Sequence, residues 1–235
     1  KIAWYRNTNG DGSAWTTNVV TTKAGWAYSV FAADIDGDGR IDLASASSND
    51  DKIAWYENTN GDGSAWSTHV VTTSADYAYS VFAADVDGDG DNDIVTSLWA
   101  HGWGMAWFEN TGGGEVGFRK HVIMPSDAKP GVGGVVFSQH HSLATGDFNA
   151  DGLTDFVTGK RWWAHGGGDP GADQPAVLYW FELRRSESHG VEFIPHLIDT
   201  DSGVGTQIAV GDLDGDDKTD IGIGNKKGIY LFRTK

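Results

Sequence analysis

One fifteen-residue stretch, Lys1–Trp15 (KIAWYRNTNGDGSAW), returns almost unchanged at Lys52–Trp66. A chain that repeats itself at this period builds from stacked like units. Asp-rich loops begin at Asp34, Asp85, Asp147 and Asp212, spaced by 51, 62 and 65 residues. Each period holds four strand-like segments, A to D in chain order. Segment A (28–33, 79–84, 141–146, 206–211) leads into the acidic loop, and segment B (41–46, 94–98, 156–159, 221–224) leaves it. Segment C carries an aromatic pair: Trp4-Tyr5, Trp55-Tyr56, Trp107-Phe108 and Trp180-Phe181, with Leu231-Phe232 last. Adjacent strand residues face opposite ways, so each pair can pack on both faces of one sheet. Segment D (15–20, 66–71, 118–123, 193–198) reads aromatic, two residues, His or Asn, then two aliphatics.

Short antiparallel strands repeating every 50–65 residues predict an all-β chain, a β-propeller of four-stranded antiparallel blades. The chain opens and closes on segment C, which gives seventeen strands. The expected division is a blade part at 1–22, blades at 23–73, 74–124 and 125–199, and a blade part at 200–235. Three complete blades plus two partial ones also fit an arc of a larger ring, so the rest of a larger propeller or multidomain chain is an expected partner. Eleven Trp and 33 Gly suit short strands and tight turns. No apolar run approaches the roughly 20 residues of a membrane-spanning helix, and the absence of Cys removes disulfides and thiolate metal sites. A formal charge of −16 without a basic stripe argues against nucleic acid as a partner.

Much of that charge sits in the four loops DIDGDGRID, DVDGDGDND, DFNADGLTD and DLDGDDKTD. Oxygen donors recur at positions 1, 3, 5 and 9, with a backbone carbonyl at 7, as suits a hard cation taking six to eight oxygens. The predicted ligands are Asp34, Asp36, Asp38, Arg40 and Asp42 in the first loop, and Asp85, Asp87, Asp89, Asp91 and Asp93 in the second. In the third they are Asp147, Asn149, Asp151, Leu153 and Asp155, and in the fourth Asp212, Asp214, Asp216, Lys218 and Asp220. About four structural Ca²⁺ would bring the charge into an ordinary range. Glycine at position 6 permits a left-handed turn, and Asp217 replaces it in the last loop. Asn149 supplies an oxygen without a charge, making the third site the weakest. An EF-hand is excluded, because position 12 holds Ser45, Thr96, Thr158 or Ile223 rather than Glu, and the flanks are strands.

The D-x-[DN]-x-D-[GD]-x-x-D loop between two strands resembles the FG-GAP/VCBS propeller repeats over nearly the whole chain. That resemblance implies calcium in the loops and an extracellular or periplasmic, secreted setting. The segment GKRWWAHGGGDPGADQPAVLYWFE (159–182) more distantly resembles the propeller domain of aldos-2-ulose dehydratase-like proteins, which are metal-dependent sugar-processing enzymes. The cupin domains of those enzymes have no counterpart in these residues.

Departures from the repeat point to function. His69, His121 and His196 share one segment D position with Asn18 and read as scaffold, whereas His101, His140, His141, His165 and His189 have no counterparts. Extra residues fall in the D–A loop around Pro125–Gly134 and in the B–C loop Arg161–Ala176. Antiparallel order puts the metal loops and C–D hairpins on one face, Y, and the B–C and D–A loops on the other, X. Candidate catalytic residues on face X are His140, His141, His165, Lys160 and Arg161. Candidate substrate-binding residues are His101, Trp103, Trp162, Trp163, Asp169, Asp173, Tyr28 and Tyr79. Histidines there can hold a second, transition-type metal or move protons. Lys160 or Arg161 can hold a carboxylate or stabilise an enolate, and Trp faces can stack on sugars. The expected activity is calcium-dependent binding of carbohydrate or another extracellular ligand. The alternatives are a metal-dependent sugar lyase or dehydratase, and a structural or adhesion repeat with no small-molecule site.

Overall fold

A computed structural model describes residues 1–112, 116–186 and 190–235. Among them are seventeen strands in five antiparallel sheets. The first sheet pairs β1 (Ile2–Asn7) with β2 (Trp15–Thr21). The second holds β3 (Ala27–Ala33), β4 (Asp42–Ser47), β5 (Lys52–Asn58) and β6 (Trp66–Thr72). The third holds β7 (Val81–Ala84), β8 (Asp93–Ser97), β9 (Met105–Asn110) and β10 (Phe118–Met124). The fourth holds β11 (Leu143–Gly146), β12 (Asp155–Gly159), β13 (Leu178–Ser186) and β14 (Gly190–Asp199). The last holds β15 (Ile208–Gly211), β16 (Asp220–Asn225) and β17 (Gly228–Phe232). Each sheet is a simple meander, and the innermost strands β3, β7, β11 and β15 pack on one another in succession. The protein is thus a β-propeller of three complete and two partial blades.

The aromatic pairs explain why the sheets stack. They sit in one register, with Ala44 opposite Trp55, Val95 opposite Trp107 and Val157 opposite Trp180. Tyr56 joins the core shared with the preceding sheet, and Trp55 the core shared with the following one. Phe108 and Trp107 divide in the same way, as do Phe181 and Trp180. Each Trp is also backed by the segment D histidine. Trp55–His69, Trp107–His121 and Trp180–His196 stack at 4.2–4.3 Å. The far side of each imidazole reaches Glu57, Glu109 or Glu182 at 3.0, 2.6 and 2.7 Å. These three histidines are scaffold. The first sheet, with Asn18 opposite Trp4, lacks the arrangement.

Segment A is shorter than the sequence suggests. Tyr79, His141 and Thr206 precede β7, β11 and β15, and only Tyr28 lies within its strand. The reason is local. Thr96 and Thr158 donate their hydroxyls to the Ser80 and Ser142 carbonyls at 2.7 Å, replacing a backbone ladder bond. Ser45 in the second sheet turns its hydroxyl to Tyr56 instead, 3.2 Å away.

The first sheet is fastened by Trp4, whose indole donates to the Gly63 carbonyl at 3.0 Å. Gly63 has φ +74°, and a Cβ there would lie 2.6 Å from the Trp4 ring. Gly63→Ala is therefore expected to cost about 2 kcal/mol, through overpacking and the left-handed backbone. Urea denaturation would measure it.

Candidate functional site

The acidic loops lie between segments A and B, and their backbones form the cup that the repeat requires. Position 6 is left-handed throughout: Gly39, Gly90 and Gly152 have φ +85°, +97° and +84°, and Asp217 has +62°. Position 4 is left-handed as well, at Gly37, Gly88, Ala150 and Gly215, a requirement the sequence reading did not assign. Ala150 carries the only Cβ among these four position-4 residues, at φ +61°. Ala150→Gly should raise thermal stability, by up to about 1 kcal/mol, because it relieves that strain.

Within the loops, position 1 carboxylates accept amide N–H groups from the turn. Asp34 takes Asp38 N and Gly39 N, at 3.1 and 2.8 Å, and Asp147 takes Asp151 N and Gly152 N, at 3.1 and 2.9 Å. Carboxylate oxygens of positions 1, 3 and 9 converge within 4.8 Å of one another in the Asp34–Asp36–Asp42, Asp85–Asp87–Asp93 and Asp212–Asp214–Asp220 loops. In the remaining loop Asn149 replaces the position 3 carboxylate, and its amide nitrogen donates to Asp151 at 2.9 Å.

Position 9 does more than offer a ligand. Asp42, Asp93, Asp155 and Asp220 are buried, and each carboxylate clips two chain segments together. Asp93 accepts Val86 N at 2.9 Å and Asn110 N at 2.6 Å. Asp42 accepts Ile35 N and Asn58 N, Asp155 accepts Phe148 N and Leu183 N, and Asp220 accepts Leu213 N and Thr234 N. The acidic loop is thereby tied to the outgoing end of segment C. Burial pushes the Asp93 carboxyl up to about 7 and Asp155 to about 6, against the pull of those amides. Asp36 and Asp87 are also raised, by burial and by their acidic neighbours. Hard oxygens crowded together fit a divalent cation such as Ca²⁺; the basic side chains Arg40, Arg185, Lys218 and Arg233 each meet only one acid of a loop, Asp38, Asp85, Asp216 and Asp214. Asp34, Asp36, Asp38 and Asp42, with their counterparts in the other loops, are the side chains that would hold it.

Face X assembles a second cluster from three sheets. His101 Nδ1 lies 3.2 Å and His165 Nδ1 3.0 Å from Asp169 Oδ2. The donor atoms of His101, His165 and Asp169 all fall within 4.8 Å. The two His–Asp contacts are hydrogen bonds in this structure, and the same three donors are of the types that bind a transition-type cation. His101 Nε2 is 3.4 Å from the Tyr79 hydroxyl, and the His101 ring packs edge-on against His141 at 4.7 Å. Arg161 Nη1 reaches His141 at 3.2 Å. Tyr79 in turn stacks on Tyr28 across the blade boundary, with ring centroids 4.0 Å apart.

Electrostatics differ sharply within this cluster. Burial, then the Arg161 charge, drives His141 down to about 2, so its imidazole is neutral. Asp169 is held below the usual carboxylate range: burial opposes this, but His101 and His165 outweigh it. Burial and the Tyr28 hydroxyl raise the Tyr79 phenol to about 12.

Not every predicted residue joins. His140 is fully buried against Phe137, and neither ring nitrogen has a hydrogen-bond partner. Burial holds it neutral, near 3. Lys160 is likewise buried; its ammonium faces the Ala172 and Arg161 carbonyls at 3.4 and 3.5 Å and fastens the inserted loop. Trp103 has a buried indole N–H without a partner, and Asp173 is exposed. Trp162 lies beneath the Lys227 ammonium at 5.5 Å, and Trp163 is 44% exposed. His189 lies outside the described residues.

Two aromatics escaped the sequence reading. Trp26 and Tyr77 are 66% and 50% exposed and stand two residues before Tyr28 and Tyr79. Both have left-handed backbones, φ +50° and +52°, as do Gln139, Trp163 and His165 on the same face. Bulky residues held in this conformation mark a constrained surface. The signal lay in the repeat, since Trp26 and Tyr77 occupy equivalent positions.

Antiparallel blades that carry an acidic loop between their first two strands define a repeat β-propeller. The FG-GAP-like repeat family matches residues 1–45 and 34–96, and the later blades repeat the same strand order and acidic loop. Among curated proteins none matches the chain. No helix among the described residues is long and apolar enough to cross a membrane.

Proposed function

We propose that this propeller is a calcium-stabilised, secreted binding module that takes carbohydrate on face X. One observation carries the reading. On face X, Trp26, Tyr28, Tyr77 and Trp163 expose 66%, 52%, 50% and 44% of their surface, and Tyr77 packs edge-on against His101 beside Asp169. Flat aromatic faces beside fixed donors and acceptors suit a sugar ring, which is apolar on its faces and polar at its rim. The acidic loops lie on the opposite face and serve stability. A secreted setting supplies the calcium they need, and the absence of Cys makes the fold independent of disulfide chemistry.

A glycan array probed with calcium-loaded protein tests the reading. Binding to a defined glycan set is expected, and the Tyr77→Ala/Trp163→Ala double variant should lose at least tenfold in affinity. Two stacking contacts of about 1 kcal/mol each set that scale. No binding across the array would overturn the reading and leave a structural or adhesion repeat.

A second reading, a metal-dependent sugar lyase or dehydratase, is favoured by the His101–His165–Asp169 donor set alone. There Arg161 would stabilise an enolate beside a neutral His141. It requires zinc or manganese beyond the calcium content, lost in His101→Ala/His165→Ala. This test uses His101 rather than His140, because His101 belongs to the donor set and His140 is buried.

A further inference from the structure

Arg161 belongs to two places at once. One end of its guanidinium meets His141, and the same residue lines a small pocket with Trp162, Gly205, Thr206, Gly224, Asn225 and Lys226. This pocket lies between the inserted loop and the β16–β17 turn on face X, and has a volume of about 260 Å³. That is small beside drug-sized sites and leaves room for roughly one sugar ring.

The pocket's charge is opposite to that of the chain. The protein carries −16 overall, yet this corner gathers Arg161, Lys226 and Lys227. Lys226 donates to the Trp163 carbonyl at 2.8 Å, and no carboxylate pairs with it or with Arg161 among the described residues. Lys227 lies 5.5 Å from the Trp162 ring centroid and is paired to Asp201. Asp169 of the inserted loop is engaged by His101 and His165. Thr206 and Asn225 add neutral hydrogen-bonding groups to the wall. A planar guanidinium and an ammonium without anionic partners, beside an indole, suit a carboxylate attached to a ring.

We infer that the ligand of face X is an acidic saccharide, and that Arg161 and Lys226 hold the carboxylate of a uronic acid residue over Trp162. This rests on the carbohydrate reading and narrows it. The neighbouring sugar would extend from Arg161 toward Tyr79 and His101, because Arg161 is shared between pocket and cluster.

Isothermal titration of calcium-loaded full chain separates the possibilities. The probes are trisaccharides of glucuronate, mannuronate and galacturonate, each compared with its methyl ester, which keeps the ring and removes the charge. At least one acid should bind tenfold or more tightly than its ester. Arg161→Gln/Lys226→Gln should reduce that preference to less than twofold while leaving the calcium-dependent melting temperature unchanged. Esters binding as well as the acids would overturn the carboxylate assignment and leave carbohydrate binding standing. A preference that survives in the double variant would place the carboxylate elsewhere and overturn it equally. If neither acids nor esters bind while neutral glycans bind on the array, only the inference fails; if nothing binds anywhere, the carbohydrate reading fails with it.

Discussion

Removing calcium with EGTA is expected to lower the melting temperature by roughly 20 °C or more. A cation held at 100 times its dissociation constant stabilises by about 2.7 kcal/mol per site, so four loops give about 10 kcal/mol. For a chain of this size each kcal/mol moves the midpoint by about 2–4 °C. The pH dependence should also reverse. Without cation, the Asp93 carboxyl sits at about 7 in the folded chain, above its unfolded value. Its folded state therefore holds the proton more tightly, and stability is lost as pH rises through 7. In EGTA the protein should melt higher at pH 6 than at pH 8. With calcium the order inverts, because binding requires the carboxylates ionised. Differential scanning calorimetry in both buffers would reveal the crossing. Equal melting temperatures with and without chelator would dismiss the metal loops.

Asp93→Ala should be the most damaging single substitution in these loops, costing about 4 kcal/mol even in EGTA. Its two oxygens accept Val86 N and Asn110 N in a fully buried setting, and each orphaned N–H costs about 1–3 kcal/mol. Asp93→Asn keeps one acceptor and should cost about half as much. Asp89→Ala, at exposed position 5, provides the contrast: its effect should appear in calcium and nearly vanish in EGTA. Urea denaturation of the three variants in both buffers separates clip from ligand. If Asp93→Ala cost nothing in EGTA, position 9 would be a metal ligand alone.

Much of the scaffold could be read from the chain because the repeat supplies its own controls. The Trp-aromatic pairs fell into register since their neighbours on segment B are small or aliphatic in every blade: Ala44, Val95 and Val157. The three segment D histidines read as scaffold because they recurred, and their stacking on Trp explains the recurrence. Antiparallel order was enough to bring His101, His165, Asp169 and Arg161 to one face. Position 9 was harder. A carboxylate looks the same in sequence whether it holds a cation, two amides or both. Side-chain direction was harder still: His140 and His141 are neighbours, yet one is sealed against Phe137 and the other meets Arg161. Lys160 could be placed beside the site but not recognised as buried, because its ammonium is satisfied by backbone carbonyls that no pattern announces. Trp26 and Tyr77 were visible as repeats, but their left-handed backbones, which fix how they face solvent, were not.

The most direct test of the account is the calcium content of the purified chain. Protein equilibrated in micromolar calcium and passed through gel filtration would be assayed by inductively coupled plasma mass spectrometry, beside an Asp87→Asn variant. The account predicts close to four calcium ions per chain, falling by about one in the variant. A content below one per chain, unchanged by the substitution, would contradict it.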